Sequence, residues 1–371
     1  MCVASQSLRA DCREVRTQGT LRHQHIGKAM RRVHLLGGGS LGTLFASHFA
    51  RAGVDPILLL RPSAAKIAGR HCTVRVTTED DDNVSEHTIQ CESTDDAGRD
   101  AFDILIVATK AYDVRSALTD VRARLHTSST VILLCNGALA VADELPQHGG
   151  PLMAATSTHG AWSRGKRDVH HAGNGETWIG AYGKPVQAKP SGLFDWLVGG
   201  ERVLDAAETP AAAEAQRFFA SHGLGAHVEN PSATERRLWL KLAANAVLNP
   251  LTALWDCQNG QVLSRAEGRE TARAVCEEIA SVAAHVASDG SDLSTDALVD
   301  FVHECAAANA LNFSSMCMDV RHGRRTEIEQ LNGWVAKKGY ELGLTQGSTS
   351  GNAWLGKNEE LADAIRARHP E

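Results

Sequence analysis

The chain has 371 residues, 43 % of them apolar and 22 % charged, which excludes a disordered or fibrous protein. At about 150 residues per domain this length allows two or three domains. A net charge of −6 argues against a dedicated nucleic-acid binder but leaves room for a local basic pocket that takes an anionic small molecule.

Residues 1–30 differ from the rest. They carry Arg9, Arg13, Arg16, Arg22 and Lys28 against Asp11 and Glu14, without apolar periodicity. Two readings stay open: a basic mitochondrial transit peptide, or a disordered extension ahead of a true start at Met30. From Arg32 the pattern turns α/β. Val33 to Leu36 is a buried-strand run ended by glycines. Residues 40–52 have helical spacing, with Leu41, Leu44, Phe45, His48 and Phe49 on one side and Gly53 as a stop. Ile57 to Leu60 is a second strand. Thr73 to Thr77 pairs with His87 to Cys91 across an acidic, solvated turn at residues 79–82. Residues 103–108 and 131–135 are two further strands, with a helix predicted over 112–125 between them. Strands alternating with helices imply a parallel sheet. Residues 183–229 are rich in Ala, Gly and Pro and end this region ambiguously. Beyond Thr234 the spacing predicts only helices, over 239–248, 267–288, 295–308 and 326–342. The expected organisation is an extension (1–30), a Rossmann-like domain (31–229) and an all-α substrate and catalytic domain (230–371).

Gly37-Gly38-Gly39-Ser40-Leu41-Gly42 is a GxGxxG between a predicted strand and a predicted helix. In that context Gly37 makes the tight turn, Gly39 lets a pyrophosphate approach the backbone, and Gly42 permits close helix–strand packing. The free N–H groups of Ser40, Leu41 and Gly42 then face the phosphates. Where an NAD enzyme usually carries a carboxylate, the second strand here runs into Arg61, nineteen residues after Gly42. A cation there suits a 2′-phosphate, so NADP is the expected cofactor. Lys110 and Asn136 follow the next two strands, at the carboxyl ends where open α/β sheets bind ligands.

Lys241, Asn245 and Asn249 recur at four-residue spacing on an otherwise apolar helix, so they share one face. Amides are weak helix formers and suit a cleft that needs directional donors. Pro250 follows at once, where the helix is expected to end or kink. A lysine desolvated beside a cofactor has a lowered pKa and can give up a proton, so Lys241 is the candidate general acid for a ketone reduction.

The segment from Trp239 through Lys241, Asn245, Asn249 and Pro250 to Ala253 resembles the signature helix of the ketopantoate reductases (2-dehydropantoate 2-reductases). So do Ser314-Ser315-Met316 through Asp319 to Arg325-Thr326-Glu327-Ile328, with Asn332-Gly333 beyond. Thr109-Lys110-Ala111, Asn136-Gly137, Thr158-His159 and Asn174-Gly175 match in the first half. The resemblance implies a Rossmann domain joined to an all-α domain, with NADPH-dependent reduction of 2-dehydropantoate to (R)-pantoate in the cleft between them. Carried over by position, Lys241 is the proton donor, and Glu327 orients substrate and cofactor hydroxyls and can pair with Lys241. Asn245, Asn249, Asn259 and Ser315 bind substrate, Asn136 touches both ligands, and Arg61 and Lys110 hold the cofactor. One departure is Leu139, which stands where a second glycine is usual and is expected to crowd the backbone near the nicotinamide.

The nine Cys form no CxxC or CxH pair, so neither a metal site nor a disulfide scaffold is expected. The longest apolar runs are about five residues, far short of the roughly twenty that span a membrane. The expectation is a cytoplasmic monomer or homodimer acting on a small molecule, without nucleic-acid or membrane partners.

Overall fold

The computed structural model describes residues 32–78, 83–96, 100–145, 149–182, 186–187, 203–204, 209–288, 292–344 and 356–368. Residues 1–30, the acidic turn at 79–82 and most of 183–208 lie outside these, and with them the expectations placed there.

The short all-buried runs form the central strands. β1 (Val33–Leu36), β2 (Ile57–Leu60), β5 (Ile104–Val107) and β6 (Thr130–Leu133) are buried throughout. Strands covered on both faces read as continuous apolar runs, and these pair in parallel. The hairpin β3 (His71–Thr78) and β4 (Val84–Ser93) alternates instead and pairs antiparallel, with Val74 opposite His87. β7 (Leu152–Ser157), β8 (Gly160–Gly165), β9 (Asp168–Gly173) and β10 (Thr177–Ala181) follow. A separate pair, β11 (Val186–Gln187) and β12 (Val203–Leu204), precedes β13 (Ala226–Val228). Among the described residues eleven strands form one sheet in the order β13-β10-β7-β6-β5-β1-β2-β4-β3-β9-β8.

The helices of this half are α1 (Ser40–Arg51), α2 (Pro62–Ala68), α3 (Ala111–Asp120), α4 (Ala138–Glu144) and α5 (Pro210–His222). Leu44, Phe45 and Phe49 of α1 are buried, while Leu41 and His48 are half-buried. The helix predicted over 112–125 is shorter: α3 ends at Asp120 and Arg122–Arg124 is a 3-10 turn.

From Pro231 onward the described residues contain helices and no strand: α6 (Pro231–Trp255), α7 (Asn259–Val262), α8 (Ala266–Val286), α9 (Thr295–Ala308), α10 (Ser315–Arg321), α11 (Asn332–Glu341) and α12 (Lys357–Arg368). α9 has its predicted bounds. The helix predicted over 326–342 is instead a 3-10 turn at Ile328–Gln330 followed by α11.

Of the two outcomes expected at Pro250, an end or a kink, the first does not occur. α6 does not end there but runs on to Trp255, with the proline inside it. Proline has no N–H, so the carbonyl four residues back loses its helical partner. That carbonyl belongs to Ala246, and Asn332 Nδ2 of α11 donates to it at 2.9 Å. The orphan is satisfied from the next helix, and the helix continues. One apolar core joins β5, β6, α3 and α4 to α6, α8, α9, α11 and α12, and Trp239 is among its largest fully buried side chains.

Candidate active site

The glycine turn has the geometry its three positions require. Gly37 sits at φ +112, and a Cβ there would stand 2.9 Å from Thr109 Cγ2. A Cβ on Gly42 would collide with the Gly37 carbonyl, so the helix packs against the strand only without one. A Cβ on Gly39 would meet nothing, which leaves an open cradle. Gly39 is also the N-cap of α1, with no side-chain cap and no acidic residue in the first turn. The N–H groups of Ser40, Leu41 and Gly42 are therefore available to an anion. These residues fit a dinucleotide pyrophosphate.

Two cations flank the turn at the carboxyl ends of β2 and β5. Arg61 precedes α2 and is 64 % exposed, with its guanidinium 2.6 Å from Asp113 of α3. Lys110 precedes α3, and its Nζ lies 2.7 Å from Asp319 Oδ2 and 3.5 Å from Glu327 Oε2. Burial alone would lower the Lys110 pKa, but the charges of Glu327 and Asp319 outweigh it and hold the value above the lysine norm. Asp319 is itself buried and also accepts from Arg324 Nε at 2.8 Å.

Glu327 joins the two halves of the chain. Its Oε1 accepts the N–H of Ala111 at 3.0 Å, and its Oε2 accepts Asn136 Nδ2 at 3.1 Å besides facing Lys110. The Ala111 bond places a carboxylate on the N-terminus of α3, where helix and charge attract. The expected Glu327–Lys241 pair does not form. Lys241 instead donates to the Ser157 carbonyl at 2.8 Å, at the end of β7, and feels Glu327 only as a nearby charge. Burial lowers its pKa, and the opposing effects of Cys305, Glu327 and Cys135 do not restore it.

The other predicted residues divide. Asn245 and Asn249 stand one and two turns after Lys241, Asn249 buried and the Asn245 Nδ2 buried without a partner. Ser315 is exposed at the first turn of α10, four residues before Asp319 and so on the same face. Its neighbour Ser314 does the capping, accepting the Cys317 N–H and the Thr252 hydroxyl. Asn259 binds a different element: its backbone N–H and Nδ2 donate to the carbonyls of Asn312 and Asn309. The structure ties it to the loop after α9 rather than to Lys241 or Glu327. Leu139 is buried in the core within α4. The close approach is at Gly137 (φ +62), where a Cβ would stand 2.7 Å from the Gln330 carbonyl oxygen.

Sequence reasoning gave no role to Asp319, Asp113 or the Ser157 carbonyl. Asp319 stood inside a quoted motif and Asp113 three residues after Lys110, but nothing in the spacing shows which carboxylate folds back onto which cation.

The family model described as ketopantoate reductase PanE/ApbA matches residues 33–184, and its C-terminal counterpart matches 233–346. The 2-dehydropantoate 2-reductase of Salmonella typhimurium (strain LT2) is 30 % identical over 340 residues, covering 92 % of this chain and 96 % of that one. The chain belongs to the ketopantoate reductase family. The Escherichia coli O157:H7 2-dehydropantoate 2-reductase is 29 % identical over 315 residues, covering 84 % and 90 %. Among solved structures, a PanE/ApbA family ketopantoate reductase from Ralstonia eutropha JMP134 has a TM-score of 0.69 at 23 % identity, over 91 % of this chain and 98 % of that one. A D-mandelate dehydrogenase with NADH and anilino(oxo)acetate has the same TM-score at 18 % identity and the same coverage. At these identities both likenesses concern the fold. No helix among the described residues is long and apolar enough to cross a membrane.

Proposed function

We propose that this family member reduces 2-dehydropantoate to (R)-pantoate with NADPH. The observation that carries the reading is the pairing of an open, uncapped glycine turn with a half-buried lysine that has no carboxylate partner among the described residues. NADPH, when bound, supplies the hydride for the ketone carbon. Lys241 holds the proton for the ketone oxygen, and its lowered pKa makes the ammonium a better acid than an ordinary lysine. The Ser157 carbonyl fixes the ammonium position through one of its three N–H bonds. Asn245 and Asn249 supply amides along the same helix face for the substrate's carboxylate and hydroxyl, and Ser315 adds a hydroxyl from α10. Glu327 and Asn136 order the wall beside the nicotinamide, and Lys110 and Arg61 hold the cofactor. In this reading residues 31–229 bind the dinucleotide, residues 230–371 carry substrate and proton donor, and the enzyme is a cytoplasmic monomer or homodimer.

The fold does not choose among branched 2-oxo acids, because a D-mandelate dehydrogenase shares it. NADPH oxidation followed by absorbance, across a panel of 2-oxo acids, tests the reading. The expected result is the highest kcat/KM for ketopantoate. No oxidation at millimolar ketopantoate would sink it, and a higher value for another acid would reassign the substrate.

A further inference from the structure

The glycine turn has a third cationic neighbour. The β8–β9 hairpin reverses at residues 166–167, and its second turn residue is Arg167. Its Cγ is 4.0 Å from the place a Cβ on Gly38 would occupy. The other atoms around that place are Leu60 Cδ2 at 3.3 Å and Leu58 Cδ2 at 3.6 Å, both from β2. Arg167 thus meets the turn on its β2 side, the side that ends in Arg61, and not at the N-terminus of α1.

The hairpin backbone at Arg167 is fixed and one side-chain donor is left unmatched, while the charge acts on the buried thiols of Cys72 and Cys91. Arg167 has φ +60, a left-handed conformation that a non-glycine residue adopts only where the surroundings hold it. Its own carbonyl accepts the Arg75 N–H at 2.8 Å, which pins the hairpin to β3. Its Nε is buried with no hydrogen-bond partner, and no carboxylate among the described residues pairs with its guanidinium. The residue as a whole is half-buried, but a buried N–H left unmatched is costly, and an anion's acceptor oxygens would satisfy it. Arg61, by contrast, already has Asp113 and must exchange it for a ligand.

We propose that Arg167 grips the 2′-phosphate of the dinucleotide from the hairpin while Arg61 approaches the same phosphate from the end of β2. The proposal rests on the reading of the glycine turn as an NADPH site. The pyrophosphate belongs to the N–H groups beyond Gly39, so the group that Arg167 reaches is the one on the adenosine ribose. NADPH specificity then comes from two arginines on different elements, one paired at rest and one not.

Equilibrium binding to the full chain tests this without any oxo acid. Arg167→Asn removes the charge and keeps a residue that tolerates the left-handed backbone. It is expected to raise Kd for NADPH and for adenosine 2′,5′-bisphosphate about ten- to hundredfold, the range for a lost hydrogen bond to a charged group. NADH and 5′-AMP should bind as before. Arg167→Lys keeps the charge without the fork and should lose only part of the NADPH affinity. Equal losses for NADPH and NADH, or no change for either in both variants, would overturn the assignment. A wild-type protein that binds neither dinucleotide would overturn the cofactor reading itself, a distinct result.

Discussion

Two lysines stand near the same carboxylate and are driven in opposite directions. Lys110 has two acidic partners, Asp319 and Glu327, and its pKa rises despite burial. Lys241 has a carbonyl and, among the described residues, no ion pair, and burial lowers its pKa. The side chain is identical, so the difference lies in where the chain puts its acids. Asp319 and Glu327 flank the loop after α10 and fold toward β5, where Lys110 becomes a permanent cation suited to holding an anion. Lys241, on α6, is left as the one of the two whose proton is easier to remove. In the proposed function, binding and proton transfer are separated by partner choice.

The largest effect should come from the unpaired member. Lys241→Ala is expected to lower kcat by about two to four orders of magnitude, the span of general acid catalysis. NADPH affinity should stay intact in a fluorescence titration. An unchanged kcat would remove Lys241 from its role.

Lys110→Ala should act on stability and cofactor affinity more than on the proton step. It leaves Glu327 and Asp319 buried with less compensating charge, Arg324 remaining for Asp319. The expected cost is about 1–3 kcal/mol in denaturant unfolding, discounted because Lys110 is partly exposed. In the wild type this contribution has a definite sign with pH. A raised folded-state pKa stabilises fully below the unfolded lysine value of 10.5 and is lost only as pH climbs through the raised value. A variant as stable as wild type would mean that the pair is idle.

The helix that carries Lys241 can be tested apart from the lysine. Asn332→Ala strands the Ala246 carbonyl opposite Pro250 and should cost about 1–3 kcal/mol. Adding Pro250→Ala restores the N–H and should recover part of the loss. A double variant no more stable than the single one would show that Asn332 acts elsewhere, for instance through its bond to Asn358. The smallest expected change is Arg61→Ala, which should weaken NADPH about tenfold and leave NADH nearly unchanged. Equal weakening of both would take Arg61 off the phosphate.

The sequence made one side of this comparison more legible than the other. Lys241 was readable because its helix is apolar around it, so a polar stripe at four-residue spacing stands out. The glycine turn was readable because each glycine answers a steric need, seen at Gly37 and Gly42. The partners of Lys110 were not readable, since Asp319 lies 209 residues away and local periodicity carries no information at that range. The path of α6 past Pro250 was hidden for the same reason, because the compensating donor sits on α11. Arg167 was invisible as well: a basic residue at a hairpin tip reads as solvated until the hairpin is laid beside Gly38.

The most direct test of the central claim is the pH profile of kcat for NADPH-dependent ketopantoate reduction, under saturating substrates. A lysine acid with a lowered pKa must be protonated to act, so kcat should fall as pH rises, through an apparent value below the ordinary 10.5. Lys110, with its raised pKa, should leave no trace in that range. A profile flat up to pH 10.5 would contradict the assignment of the proton to Lys241.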